Sequence, residues 1–147
     1  MLIIGIDPGA SGGITFIDSK SGMIDTHKMP EVEEDIAEML ATTFAPRFAF
    51  LERVHAMPKQ GVSSTFKFGS GYGFIRGVLV ALGIPREFPT PQAWQKALGC
   101  LTRGDKNVSK AKASELWPGR KWTHATADSA LIAEYGRRHL HATGRLP

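Results

Sequence analysis

The 147-residue sequence has a single cysteine, Cys100. That excludes an internal disulfide framework and any cysteine-rich zinc site, and Cys100 reads as a packed or idle thiol. It has no apolar run long enough to span a bilayer. Its N-terminus enters a short apolar stretch with no basic flank and no small-residue cleavage site, the pattern of a cytoplasmic protein with no membrane partner. Repeats and low-complexity tracts are absent as well. Acids are scarce where bases are many. Residues 53–121 hold twelve bases against Glu87, Asp105 and Glu115, net +9, whereas residues 1–52 hold nine acids and three bases, net −6. A basic middle beside a few isolated carboxylates suits a polyanion partner. The length predicts one domain over residues 1–147, large enough to bury about two-thirds of its unfolded surface without staples.

Residues 2–6 form a continuous apolar run closed by Pro8 and Gly9, as in a buried strand. Residues 13–17, rich in β-branched and aromatic side chains, and residues 23–29 follow at hairpin spacing and predict antiparallel pairing. Over 31–43, Val32, Ile36, Met39 and Leu40 recur at helical spacing with acids opposite, and Pro46 ends the helix. Residues 48–51 predict another strand, ending at Glu52, and the polar stretch 57–65 reads as a loop. A long helix is expected over 68–82 and a short strand over 86–88. Thr90 and Pro91 start a helix that runs to about residue 98. After a loop over 99–107, helices are expected over 108–117, stopped by Pro118, and over 125–140. This order predicts an α/β fold, a mixed five-stranded sheet with helices on both faces.

Three carboxylates occupy unusual places. Asp7 closes one apolar strand, Glu52 closes another, and Asp128 falls among alanines in the first turn of the last expected helix. Each has a plain reading. Asp7 suits a turn before Pro8-Gly9, Glu52 a surface acid beside Arg53, and Asp128 a helix-start charge favoured by the macrodipole. Jointly, two strand ends side by side with a helix start over them make a cluster that repels itself unless a divalent cation neutralises it. Hard carboxylate oxygens suit Mg²⁺ or Mn²⁺.

The run from Ile4 to Ile14, Ile-Gly-Ile-Asp-Pro-Gly-Ala-Ser-Gly-Gly-Ile, resembles the opening of the RuvC Holliday-junction resolvases. The run from Leu51 to Gly69 resembles the second acidic strand and following loop of their phage and prophage branch. Three later blocks match in order: Pro91 to Lys96, the pair Asp105 and Lys106, and Ala127 to Gly136. The first block is shared with sugar kinases and actin-like ATPases; all the blocks in order are specific, and they cover nearly the whole chain. The resemblance implies an RNase H-like fold and a homodimer that binds a four-way DNA junction. It also implies paired nicks leaving 5′-phosphate and 3′-hydroxyl ends, and two Mg²⁺ or Mn²⁺ ions per site held by Asp7, Glu52 and Asp128. In one place the sequence departs from the pattern. The family carries a fourth ligand, Asp or His, three residues before the last Asp, and here that position is Ala125. His124 is its neighbour, about 100° away round a helix. The expectation is a weakened or inactivated chain.

Lys59, Lys67, Lys106 and Lys110 fall in segments expected to flank the carboxylates, where they read as phosphate contacts or as solvated lysines. Phe66, Phe68 and His55 lie near the loop after Glu52 and read as stacking groups for unpaired bases or as core. Gly69, Gly71, Gly73 and Gly77 stud the long helix with a spacing unlike a phosphate loop, which favours close helix packing, with a dimer partner as one candidate. Trp94, Trp117 and Trp122 read as packed. Three competitors stand beside the resolvase: a nuclease of the same fold acting on RNA–DNA hybrids or other branched DNA, an ATP-binding protein of the kinase/actin type, and a non-catalytic junction binder. The kinase/actin type needs a second domain that 147 residues do not hold.

Overall fold

The alternation of apolar residues along the first strands fixes the layers. In a computed structural model that describes residues 1–42 and 45–146, β1 (Leu2–Asp7), β2 (Gly13–Asp18) and β3 (Ile24–Lys28) form an antiparallel meander. After α1 (Glu33–Ala41), β4 (Arg47–Leu51) joins the free edge of β1 in parallel. After α2 (Val62–Ala81), β5 (Arg86–Glu87) pairs in parallel with β4. Helices α3 (Pro91–Ala97), α4 (Asn107–Leu116) and α5 (His124–Ala142) complete the chain. The strand order is β3-β2-β1-β4-β5, the expected mixed five-stranded sheet.

Each strand divides its side chains between two helical layers. Ile4, Ile6, Ile14, Ala49 and Leu51 pack with Ile36 and Leu40 of α1 and Ile75 and Leu79 of α2. Ile3 and Phe50 point the other way, onto Leu131 and Ile132 of α5 and Trp94 of α3. Ile17 meets Ala127, Ala130 and Ala133 on that same side. Because successive strand residues alternate faces, Asp7 after Ile6 and Glu52 after Leu51 both return to the α5 side.

Helix α5 lies against the sheet almost backbone to backbone. A β-carbon on Gly5 would stand 2.2 Å from the Ser129 carbonyl oxygen and 2.3 Å from the Ala133 nitrogen. Gly136 makes room in the same way for the Phe50 ring. Across the next strand the Thr15 hydroxyl bonds that of Ser129 at 2.8 Å and that of Thr26 at 2.7 Å, a buried polar chain that fixes the helix register.

Two boundaries differ from expectation in ways that matter. Helix α2 begins at Val62, six residues before the expected start, with Gly61 as its N-cap and Thr65 N–H donating to the Gly61 carbonyl at 2.9 Å. Its first turns are largely solvent-facing, so they carry no apolar period and read as loop. Helix α5 begins at His124, held by a reciprocal capping box between Thr123 and Thr126. Asp128 is therefore in the second turn, not the first, where the pull of the helix dipole has faded. The expected end of the first helix at Thr43 lies outside the described residues. Cys100 is buried and unpaired, as expected. Among the described residues no helix is long and apolar enough to cross a membrane.

Candidate active site

Pairing of Ile6 with Leu51 sets the ends of β1 and β4 side by side. The Glu52 N–H continues the ladder to the Ile6 carbonyl at 3.0 Å, and Arg53 N–H is tied to the Pro89 carbonyl at 2.8 Å. Asp7 and Glu52 thus leave adjacent strand ends on one face. On the other flank Asp7 stands opposite Gly13, and a β-carbon there would come 2.5 Å from the Ala125 carbonyl oxygen. The start of α5 is pressed onto these strand ends and brings Asp128 to them.

The three carboxylates are partly buried and act on one another. Burial pushes Asp7 well above the usual carboxylate range, and the charges of Glu52 and Asp128 raise it further, while Lys106 opposes them. Burial lifts Glu52 to about 7 despite the Trp94 hydrogen bond, with Asp128 adding to the rise. Asp128 is raised by burial, against a hydrogen bond from Ser109 and the charges of Lys106 and His124. Its Oδ1 atom is buried with no hydrogen-bond partner. A buried, self-repelling set of hard oxygens with an unsatisfied acceptor fits a divalent cation. Among the described residues, no three His, Cys, Asp or Glu side chains are gathered tightly enough to hold an ion. The three acids share one neighbourhood without a closed coordination set.

Sequence reasoning missed two supporting side chains. The Trp94 indole N–H donates to Glu52 Oε2 at 2.7 Å, and the ring is 1% exposed. The expectation that Trp94 is packed holds, but its polar end holds a site carboxylate. Trp94 lies in one of the matching blocks, which was the available signal. Ser109, buried on α4, serves Asp128, and nothing in its local sequence announced this.

Lys106 is the N-cap residue of α4, close enough to lower both Asp7 and Asp128. Lys110 is half-buried one turn further along α4. His55 and Lys59 sit in the exposed segment after β4, and Lys59 adopts a left-handed backbone with φ 67°. His55 and Phe68 line a hollow of about 280 Å³ with Arg53 and Met57. Phe68 also reaches the turn after Asp7, its ring 3.0 Å from where a Gly9 β-carbon would stand. Phe66 and Lys67 are exposed on the early turns of α2, Phe66 by 77%. Ala125 is buried, three residues before Asp128 on α5, and His124 acts on Asp128 from the exposed side. The glycines of α2 have nothing of this chain within 4 Å of where a β-carbon would stand, so no close packing within the chain explains them. Trp94 and Trp122 are buried, and Trp117 is half-buried against Trp122.

The crossover junction endodeoxyribonuclease RuvC of Zymomonas mobilis is 28% identical over 160 aligned residues, covering 99% of this chain and 95% of that protein. The chain is similar to RuvC over nearly its whole length. No family model matches it. Among solved structures, Thermus thermophilus RuvC superposes with a TM-score of 0.67 at 15% identity, covering 98% of this chain and 97% of that one. T. thermophilus RuvC in complex with Holliday junction substrate gives 0.70 at 17% identity, covering 98% and 96%. The chain therefore has the α/β fold of RuvC, the mixed five-stranded sheet with helices expected from its sequence.

Proposed function

We propose that this chain is a RuvC-type, structure-selective endonuclease that resolves four-way DNA junctions by paired nicking, leaving 5′-phosphate and 3′-hydroxyl ends. The observation that carries the reading is the convergence of Asp7, Glu52 and Asp128 at two strand ends and one helix, with Lys106 facing them. Asp7, Glu52 and Asp128 would be the residues to hold Mg²⁺ or Mn²⁺, two ions per site in this reading, once the three carboxylates draw together around them. When bound, such ions supply activation of water for in-line attack and stabilisation of the leaving oxygen. Trp94 orients Glu52, and Ser109 favours the charged form of Asp128. Lys106 and Lys110 on α4, with the exposed Lys59 and Lys67 of the segment after β4 and the start of α2, contact phosphates, and the His55–Phe68 hollow accommodates unpaired bases.

In this reading the protein acts as a homodimer, a single nuclease domain per chain. Val62, Phe66, Gly69, Gly73, Gly77 and Val80 recur every three or four residues along α2, and all are exposed. Helical glycine costs about 1 kcal/mol relative to alanine, so an exposed glycine stripe is best explained by a second helix docking on it. Four-way junctions arise in the cytoplasm of a bacterial host, and the block from Leu51 to Gly69 supports a phage or prophage origin.

A second reading rests on Ala125. Its methyl group binds no metal, so the chain as it stands holds junctions with little or no cutting, with His124 as the nearest imidazole. Purified protein is tested on four-way junctions and RNA–DNA hybrid duplexes in Mg²⁺, with Asp7→Asn as control and sedimentation to measure mass. Symmetrical junction nicks lost in Asp7→Asn support the resolvase, and hybrid preference overturns it. Ala125→Asp is expected to raise cleavage at least tenfold; no rise removes the explanation built on Ala125.

A further inference from the structure

The side of the sheet facing α1 is only partly covered. Helices α1 and α2 close over β1 and β4, but β3 is an edge strand, and beside α1 the hairpin of β2 and β3 stays open. Phe16 on β2 is half-buried there, and His27 meets its ring edge-on with centroids 6.3 Å apart. Met39 of α1 and Met23, 71% exposed, complete an apolar groove of about 940 Å³. Carboxylates surround it: Asp35 and Glu38 on the α1 side, Asp25 on the strand side and Asp18 at the end. No lysine or arginine among the described residues lines it, and His27 is paired with Asp25 at 2.9 Å.

Three features define an occupant. The acidic rim repels a nucleic acid and attracts cations, in a segment of the chain that carries net −6 while the middle carries net +9. The floor is apolar and methionine-rich, a surface that adapts to varied side chains. The space matches about two turns of a helix some 10 Å wide. A helix lying beside α1 places apolar residues on Phe16 and Met39 and basic residues on Asp25, Asp35 and Glu38.

We propose that this groove is a docking site for a basic, amphipathic helix of a partner protein. It lies on the face of the sheet opposite Asp7 and Glu52, so the partner binds without covering the carboxylate site. The proposal is independent of the nuclease reading.

The test uses the full chain and a probe peptide of eighteen residues, leucine at helical spacing and lysine elsewhere, carrying a benzophenone on its apolar face. Affinity is read by fluorescence anisotropy, and the crosslinked residue by mass spectrometry, since benzophenone reacts readily with methionine. Expected results are crosslinks at Met23 or Met39 and at least tenfold weaker binding to the double variant Asp35→Lys, Glu38→Lys. Junction binding should not be weakened in that variant. Crosslinks outside the groove, equal binding of a glutamate version of the peptide, or unchanged affinity of the double variant would each overturn the proposal. A change in the oligomeric state of the double variant would also overturn it, by making the groove an interface between copies of the chain.

Discussion

Replacing Trp94 with phenylalanine removes one donor from the site and keeps most of the buried ring. The indole N–H bonds a carboxylate that burial has already raised to about 7. That bond stabilises the charged form, so its loss raises Glu52 further. A hydrogen bond to a charged group contributes roughly 1.5–3 kcal/mol, and at about 1.4 kcal/mol per pH unit this lifts the carboxyl by roughly one to two pH units. The sign for stability follows. A carboxyl whose folded value lies above its unfolded one holds its proton more tightly when folded, so the metal-free protein loses stability as pH rises from about 4.5 through 7. In Trp94→Phe the loss continues to higher pH. Urea denaturation in chelator at pH 5 and pH 9 should show the gap between variant and parent growing by roughly 1–2 kcal/mol. Above that sits a constant packing cost. Direct titration of Glu52 by carbon-detected NMR gives the same shift independently. An equal gap at both pH values, with Glu52 titrating where it did before, would refute a role for Trp94 beyond filling space.

Three further outcomes follow from the geometry. Asp7→Asn should abolish metal-dependent cleavage yet raise the melting temperature of the metal-free protein by a few degrees at pH 8 relative to pH 5, because burial and two neighbouring carboxylates disfavour its charge; the same melting difference at both pH values speaks against this. Lys106→Ala should weaken junction binding and reduce the slope of log affinity against log salt by about one, the signature of one lost phosphate contact; an unchanged slope removes Lys106 from the DNA face. Gly5→Ala should cost about 3 kcal/mol in chemical denaturation, since its new methyl would meet the α5 backbone; a neutral result would mean that α5 does not lie where it is described.

Much of this was legible in the sequence for reasons that can be named. The strand ends were readable because an unbroken apolar run stops at Asp7 and another at Glu52, and the period of two then assigns both acids to one face. What alternation cannot convey is which helix crosses that face. Trp94 and Ser109 reach Glu52 and Asp128 only because α3 and α4 pack over the strand ends, a long-range outcome with no local mark. The start of α2 was hidden for the opposite reason. Its first turns, with Ser63, Ser64 and Lys67, face solvent, and a helix without a buried side has no period to find. Asp128 was assigned to the right helix but the wrong turn, because the cap at Thr123 begins α5 one residue earlier than expected.

That cap has a consequence for how activity is gained and lost. Ala125 is the second residue of α5, in a turn already held by the reciprocal Thr123–Thr126 bonds and independent of the side chain at 125. An aspartate there would sit where a helix start favours negative charge, and one base change in a codon separates it from alanine. The cap therefore does not depend on which of the two residues stands at 125, and the cost of an aspartate is the electrostatic one of a further carboxylate at a buried position. On the proposed function, cutting and holding forms of this protein would then lie a single substitution apart, with the helix start unchanged between them.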